Sequence, residues 1–241
     1  MNTYSPADTQ KPRPVPTLTI VRWVVRECLG VALVGVILFL AAGRMDWVMG
    51  WALVAVTFVW VCANALVLIP RRSPLIAERL GPKKGAKTWD TVIMSIVGVV
   101  TIVRLVVAGL DLRFGWSTGI PFAIQIAALV IAVLGYALGV WATAVNAFFS
   151  QIVRIQEERG HTVVTNGPYR FVRHPGYVGT LLFELTVPVM LGSLWALAVG
   201  GLIVLLIVTR TALEDRTLLA ELDGYSAYAE RVRYRLLPAV W

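Results

Sequence analysis

Charge is scarce in this sequence. Lys, Arg, Asp and Glu together make up 15% of the 241 residues, where soluble domains carry about 25%. That shortage argues against an ordinary soluble globular domain. Cysteine and histidine are scarcer still, at two each. Cys28 and Cys62 fall in or beside apolar runs, so they are expected to be buried packing residues with no disulfide framework. His161 and His174 are too few for most zinc or haem arrangements. There is no G-x-G-x-x-G, no P-loop and no evident Ser-His-Asp set. No A-x-A-like site follows a short apolar run near the start, so a secretory signal peptide is not expected.

What the chain has in abundance is apolar sequence, at 58%. A spanning helix needs about 20 mostly apolar residues. Candidate spans lie at 27–43, 47–69, 91–110 and 119–146. A last apolar stretch, 178–209, exceeds one span and is interrupted by Pro188, Gly192 and Ser193. It predicts two helices forming a hairpin, with a single kinked helix as the alternative. The fold class is therefore an all-α, polytopic membrane bundle of five to six segments. Residues 1–26, Pro-rich and polar at the start, are expected to be a disordered tail. Residues 27–146 form four spans, and 147–241 form a separate functional region. Residues 210–235 carry leucines on one side and a break at Gly224, a pattern for an amphipathic segment at the membrane surface.

The net charge of +8 would suggest a nucleic-acid partner in a soluble protein. Here the cations sit between apolar runs. With the N-terminus in the cytoplasm and spans alternating, nineteen Lys and Arg fall inside, only Arg44 and Arg113 fall outside, and Arg104 lies within a span. That bias predicts cytoplasmic N- and C-termini, and no nucleic acid as partner. The expected location is a membrane, such as a prokaryotic inner membrane. Arg104 is expected to snorkel or to pair inside the bundle.

The 165–179 segment stands out between apolar regions. Gly167-Pro168 and Pro175-Gly176 set tight turns, and Arg170, Arg173, His174, Tyr169 and Tyr177 surround them. An arginine fork suits a carboxylate or phosphate. The same residues also fit a plain basic turn facing lipid headgroups. Arg210 and Glu214, four residues apart, share a helix face. They fit an ion pair capping the helix, or a ligand site on the same side as the segment. Asp215 and Arg216 point elsewhere and are expected to be solvated.

These residues have a familiar order. His161-Thr-Val-Val-Thr-Asn-Gly-Pro-Tyr169 is followed by Arg173-His-Pro-Gly-Tyr177 and Gly179. Then come Arg210, Glu214-Asp215 and a closing Tyr-x-x-Tyr…Leu-Leu-Pro-x-x-Trp. Together, over about residues 145–241, they resemble the isoprenylcysteine carboxyl methyltransferase family. Membrane phospholipid methyltransferases share the pattern more loosely. The resemblance implies a membrane enzyme that uses S-adenosyl-L-methionine. It implies that His161, Thr162, Val163 and Val164 hold the cofactor largely by backbone groups. Tyr169 and the His174-Pro175-Gly176-Tyr177 turn would contact its adenosine and methionine parts, and Glu214 its amine. Arg210 would face the acceptor carboxylate, with Arg173 as a second catalytic arginine. A glutamine common upstream of the histidine in that family is replaced by Arg154, with Gln156 nearby, and the acidic pair is Glu214-Asp215 in place of two glutamates.

The expected activity is methyl transfer to a lipophilic acceptor, a small molecule or a lipidated one, entering from the bilayer among membrane lipids. A carboxylate, ionised at neutral pH, needs no general base. Alternatives are a phospholipid N-methyltransferase, an NADPH-dependent sterol-type reductase, and a non-enzymatic membrane scaffold. No metal is expected.

Overall fold

The computed structural model describes residues 15–71, 73–81, 85–117 and 119–241. Residues 1–14, holding most of the expected tail with Lys11 and Arg13, fall outside this range, as do Arg72, Lys83 and Lys84. Five helices are long and apolar enough to cross a membrane: α1 (Thr17–Ala42), α2 (Val48–Leu68), α4 (Thr88–Phe114), α5 (Phe122–Val145) and α7 (Leu194–Glu221). The short α3 (Leu75–Glu78) lies between α2 and α4, α6 (Pro175–Met190) precedes α7, and α8 (Tyr225–Arg231) closes the order. The protein is a multi-pass membrane helical bundle.

Helix ends follow local chemistry. α1 and α4 stop at Gly43 and Gly115, both in the left-handed conformation that glycine adopts without steric cost. Pro175 occupies the first turn of α6, where its missing N–H has no helical partner to lose. The long apolar stretch is a hairpin. Its break lies at 191–193, where Gly192 has φ 78° and the Ser193 hydroxyl accepts from Ala196 N to cap α7. Pro188 sits in the last turn of α6, where it removes one helical hydrogen bond just before the break.

Two expectations about boundaries are corrected. α1 begins at Thr17, so residues 17–26 belong to the helix and not to the tail. The first turns carry Arg22 and Arg26, which make them look like a flank, but Trp23 is buried against Leu68, Leu75 and Ile76. The charged 210–221 stretch is likewise the continuation of α7. Only α8, after Gly224 at φ 80°, is a separate helix. A third correction concerns the cysteines: Cys28 is exposed and Cys62 half-buried.

The six long helices pack in a closed ring. α1 touches α2 and α4, α4 touches α7, α7 touches α6, α6 touches α5, and α5 returns to α2. One half of the ring is filled by apolar side chains, among them Leu38, Leu105, Ala108, Val187, Met190 and Ala196. Outward-facing residues such as Leu29, Leu40, Leu66 and Leu205 are exposed, as expected where lipid, not water, is the solvent. The α5–α6 contact is tight because both helices carry glycine there. A Cβ on Gly135 would sit 2.7 Å from the carbonyl oxygen of Gly179. Small residues at such crossings let helices in membranes approach closely.

Gly135→Ala would normally gain helix propensity, but here the added methyl meets backbone that cannot swing aside. It is expected to destabilise the protein by about 1–3 kcal/mol. Gly139→Ala, on the same helix with nothing within 4 Å of its Cβ, is expected to be neutral or mildly stabilising. Thermal unfolding in detergent distinguishes them; equal shifts for the two variants would refute the packing argument.

Candidate active site

The 165–179 segment is held from three sides. Arg173 N and His174 N donate to the carbonyls of Tyr234 and Arg235 at 2.9 and 3.0 Å, so the chain after α8 runs beside it as a strap. Tyr228 Oη donates to the Tyr169 carbonyl at 2.7 Å. Leu222, Tyr225 and Tyr228 pack with Ile155 and Val163. The polar loop and the C-terminal region thereby form one unit.

At its centre lies Asp215, fully buried. Its Oδ1 accepts from Arg173 Nε at 2.8 Å, Tyr225 Oη at 2.9 Å and His174 Nε2 at 3.1 Å. Its Oδ2 accepts from Arg173 and from Arg235 Nε, both at 2.8 Å. The expectation that Asp215 is solvated is therefore wrong. The helix wheel does turn it away from Glu214, but the strap, not water, occupies that side. Arg216 is exposed, as expected. Arg173 gives its remaining bonds to the carbonyls of Val232 and Arg233. Burial pulls its guanidinium pKa down, and Asp215 more than offsets this, leaving it above the ordinary value. Burial and the Asp215 charge push the Tyr225 hydroxyl far above the usual phenol range.

Arg210 and Glu214 face the same space, but they are not each other's ion-pair partners. Arg210 Nε donates to Asp90 Oδ1 at 2.6 Å, and a terminal nitrogen donates to the Gln151 carbonyl at 2.8 Å. Its cation lies 5.2 Å from the centre of the Tyr177 ring. The Tyr177 hydroxyl in turn donates to Glu214. Tyr177 thus carries Arg210 on its face and Glu214 at its tip. The other oxygen of Asp90 accepts from Val153 N at 2.8 Å, which ties α4 to the loop before the histidine.

These groups enclose a cavity of about 400 Å³. His161 to Val164, Tyr169, His174, Gly176, Tyr177, Arg210 and Glu214 all line it, as does Arg173. Pro175 does not reach it and serves as the first residue of α6. Gly176 leaves room for Phe149, whose Cε2 would lie 2.6 Å from an added Cβ. His161 stacks on Phe148 with ring centres 4.5 Å apart and lies 3.4 Å from Gln156 N through Nδ1. Its pKa is depressed to about 4 by burial, with Arg159 and Arg154 adding to the effect.

The cavity has a second, apolar part. Trp60 of α2, Met94 and Val97 of α4, Thr180 of α6, and Ile203 and Ile207 of α7 line it. Glu184 also lines it. Glu184 stands two turns beyond Tyr177 on α6, about 10 Å deeper at 1.5 Å per residue. It pairs with Arg104 across the ring, which settles how Arg104 is accommodated: by pairing inside the bundle. A buried charge of this kind needs a partner.

Several site residues escaped the sequence reading. Asp90 was passed over because the third span was started at 91; α4 begins at Thr88, so a buried carboxylate sits in its first turn. An ionisable group at the edge of a span was the available signal. Gln156, buried and donating to the Phe148 carbonyl at 2.9 Å, does line the cavity. Arg154 is engaged by Glu78 at 3.1 Å and by Glu158. The apolar lining of the second part carried no sequence signal.

The family model described as the isoprenylcysteine carboxyl methyltransferase (ICMT) family matches residues 127–220. The match starts in α5, earlier than the motifs, and stops before the closing Tyr…Trp segment. A probable protein-S-isoprenylcysteine O-methyltransferase from Oryza sativa subsp. indica is 44% identical over 43 residues, 18% of this chain and 22% of its own. The protein-S-isoprenylcysteine O-methyltransferase of Schizosaccharomyces pombe is 29% identical over 86 residues, 35% of this chain and 36% of its own. An Arabidopsis thaliana relative, protein-S-isoprenylcysteine O-methyltransferase A, is 42% identical over 43 residues, with shares of 18% and 22%. The chain thus spans about a fifth of the length of the plant relatives and about a third of the yeast one.

Two outcomes are expected from this geometry. Asp215→Ala leaves the buried Arg173 and the half-buried Arg235 around an empty position and should cost about 3–5 kcal/mol. It should also expose the strap to limited proteolysis after α8; an unchanged melting temperature and digestion pattern would refute the hub. Protonation of His161 supplies the second. Its folded-state pKa of about 4 lies below the ordinary 6.5. Between those values the unfolded chain binds a proton that the folded chain does not, so stability falls as pH drops through that window and is unaffected above it. His161→Gln should flatten the decline in melting temperature between about pH 6.5 and 4. Parallel slopes for the two proteins would count against it.

Proposed function

We propose, on the premise that residues 127–220 belong to the isoprenylcysteine carboxyl methyltransferase family, that this membrane protein transfers a methyl group from S-adenosyl-L-methionine to the carboxylate of a lipophilic acceptor. The observation that carries the reading is the two-part cavity. Its polar part is built from the 161–177 loop and Glu214, and its apolar part runs into the helices around Trp60 and Ile203. A soluble methyl donor suits the first, and a lipid-bearing acceptor suits the second. The names of the relatives point to a prenylated cysteine as that acceptor.

The residues fit such a donor. The backbone of His161 to Val164 and the Tyr169 hydroxyl offer polar contacts for a nucleoside. The Glu214 carboxylate suits an ammonium group. When bound, the sulfonium supplies an already activated methyl group, so the protein need only align, neutralise and dry the reactants. A carbon–oxygen bond forms to the acceptor carboxylate as the sulfur–carbon bond breaks. The electron pair stays on sulfur, leaving a neutral ester and a neutral thioether. An α-carboxyl with a pKa of about 3.5 is ionised at pH 7, so no base is required.

Arg210 is suited to orienting the acceptor because Asp90 and the Gln151 carbonyl already fix its fork. Arg173 acts at one remove, as a positioning residue for Asp215 and His174. Tyr177 keeps Glu214 and Arg210 in register. We place the loop, α8 and both termini on the cytoplasmic side, where the basic residues gather and where the donor is found.

Isothermal calorimetry on the detergent-solubilised protein should register S-adenosylhomocysteine binding and none for NADPH. Glu214→Gln should weaken the former about ten- to hundredfold, the range for losing a charged hydrogen bond. Native membranes given labelled methyl donor should yield label released by mild base, as an ester requires. Base-stable label would replace this reading with amine methylation, and absence of any S-adenosylhomocysteine binding would end it.

A further inference from the structure

Four arginines line the cavity, and among the described residues three of them hold a carboxylate. Arg210 has Asp90 at 2.6 Å, Arg173 has Asp215 at 2.8 Å, and Arg154 has Glu78 at 3.1 Å. The fourth, Arg79, does not. It is buried, only 4% exposed, and its hydrogen-bond partners are neutral. One terminal nitrogen donates to Asn64 Oδ1 at 3.0 Å and the other to Thr143 Oγ1 at 3.1 Å. Its Nε has no partner among the described residues. The nearby carboxylate of Glu27 is taken by Arg26, and Arg26 donates to the Arg79 carbonyl. Burial pulls the Arg79 pKa down to about 10, with Arg26 adding to the effect and Glu27 only partly opposing it.

A buried cation without an anion is costly. The other three cavity arginines each have a carboxylate partner within the protein. Arg79 sits just after α3, between α2 and α5, and among the described residues no carboxylate bonds to it. We propose that Arg79 binds the carboxylate of the acceptor, so that the acceptor itself completes this ion pair. The assignment rests on the proposed methyltransferase reading and specifies it.

Position favours the acceptor over the donor. Asn64, which orients the Arg79 fork, donates to the carbonyl of Trp60 at 3.0 Å, one turn away on α2. Trp60 lines the apolar part of the cavity. Arg79 therefore stands where the polar head of a molecule with its tail beside Trp60 would lie. The donor's contacts lie on the loop and on α7. A planar fork pre-set by two neutral side chains also suits a carboxylate better than a lysine would. In this arrangement Arg79 holds the acceptor before and during transfer. Once the carboxylate becomes an ester its charge is gone, the ion pair is lost, and release of the product is favoured.

The test compares N-acetyl-S-farnesylcysteine with its carboxamide, which keeps the shape and lacks the charge. Binding to the full chain is measured with S-adenosylhomocysteine saturating, so no turnover is needed. The wild type should prefer the acid at least tenfold. Arg79→Met should reduce that preference to within about threefold, while the S-adenosylhomocysteine Kd stays within about twofold. Arg79→Gln, which can still bond Asn64 and Thr143, serves if the methionine variant fails to fold and should behave alike. Arg79→Lys should retain part of the preference. Equal binding of acid and amide by the wild type would overturn the proposal, as would a preference that survives loss of the charge. Loss of S-adenosylhomocysteine affinity with the acid preference intact would overturn it too, by assigning Arg79 to the donor's carboxylate. Failure of the methyltransferase reading looks different: S-adenosylhomocysteine would not bind the wild type at all.

Discussion

The carboxylate of Asp215 is the interaction on which the site depends. It takes two arginines, a tyrosine and a histidine from three places in the chain, 173–174, 225 and 235. Without it, Arg173, which opens the 173–177 turn, and Arg235, which anchors the strap, would face each other as unpaired cations. A buried pair of this kind contributes little net stability compared with apolar packing, yet breaking it is expensive because charge is left behind. Its value lies in geometry. It fixes where α6 begins, and so where Tyr177 and Gly176 stand relative to α7.

The same logic runs through the bundle. Asp90 holds Arg210 and the backbone of Val153, so α4, α7 and the intervening loop share one carboxylate. Glu184 holds Arg104 across the ring, at the boundary between cavity and apolar core. Each carboxylate finds its cation within the protein because lipid offers no hydrogen bonds, although Arg104 Nε is left without a partner among the described residues. A ring of six helices needs little charge to hold together, and most outward-facing positions have none. The charged residues gather at the interior of one half of the ring, which is where the cavity lies. The 15% of charged residues in this chain is therefore spent largely on one site and on the basic flanks.

Much of this was legible in the sequence because hydropathy and turn residues are local signals. Helix spans, the α6–α7 hairpin and the Gly224 break follow from residues a few positions apart. His161, Tyr177, Arg210 and Glu214 were singled out from their order, and they line a single cavity. What escaped depends on partners far along the chain. Asp215 read as solvated because a helix wheel says which way a residue turns but not what stands there. Arg79 is only one of the nineteen cations counted on the inner side, because its partners are 15 and 64 residues away. Asp90 was lost by a boundary error of three residues, from an expected start at 91 to an observed one at 88. The start of α1 was misplaced because Arg22 and Arg26 looked like a flank, while Trp23 between them is buried.

Pairing also separates the cavity arginines by what they are free to do. An arginine already bound to an aspartate has its charge largely spent, and serves best as a rigid, directional donor. That describes Arg210, fixed by Asp90 and a backbone carbonyl and laid over Tyr177. An arginine with neutral partners keeps its charge available and can discriminate an anion from its neutral analogue. That describes Arg79. The proposed reaction, which turns a carboxylate into an ester, calls for both kinds. One group must position the acceptor without gripping it so strongly that the charged ground state is favoured over the neutral product. The other must tell substrate from product. In the proposed reaction, placing the two functions on different residues would let the affinity for the acid be high while the reacting centre itself stays nearly charge-balanced.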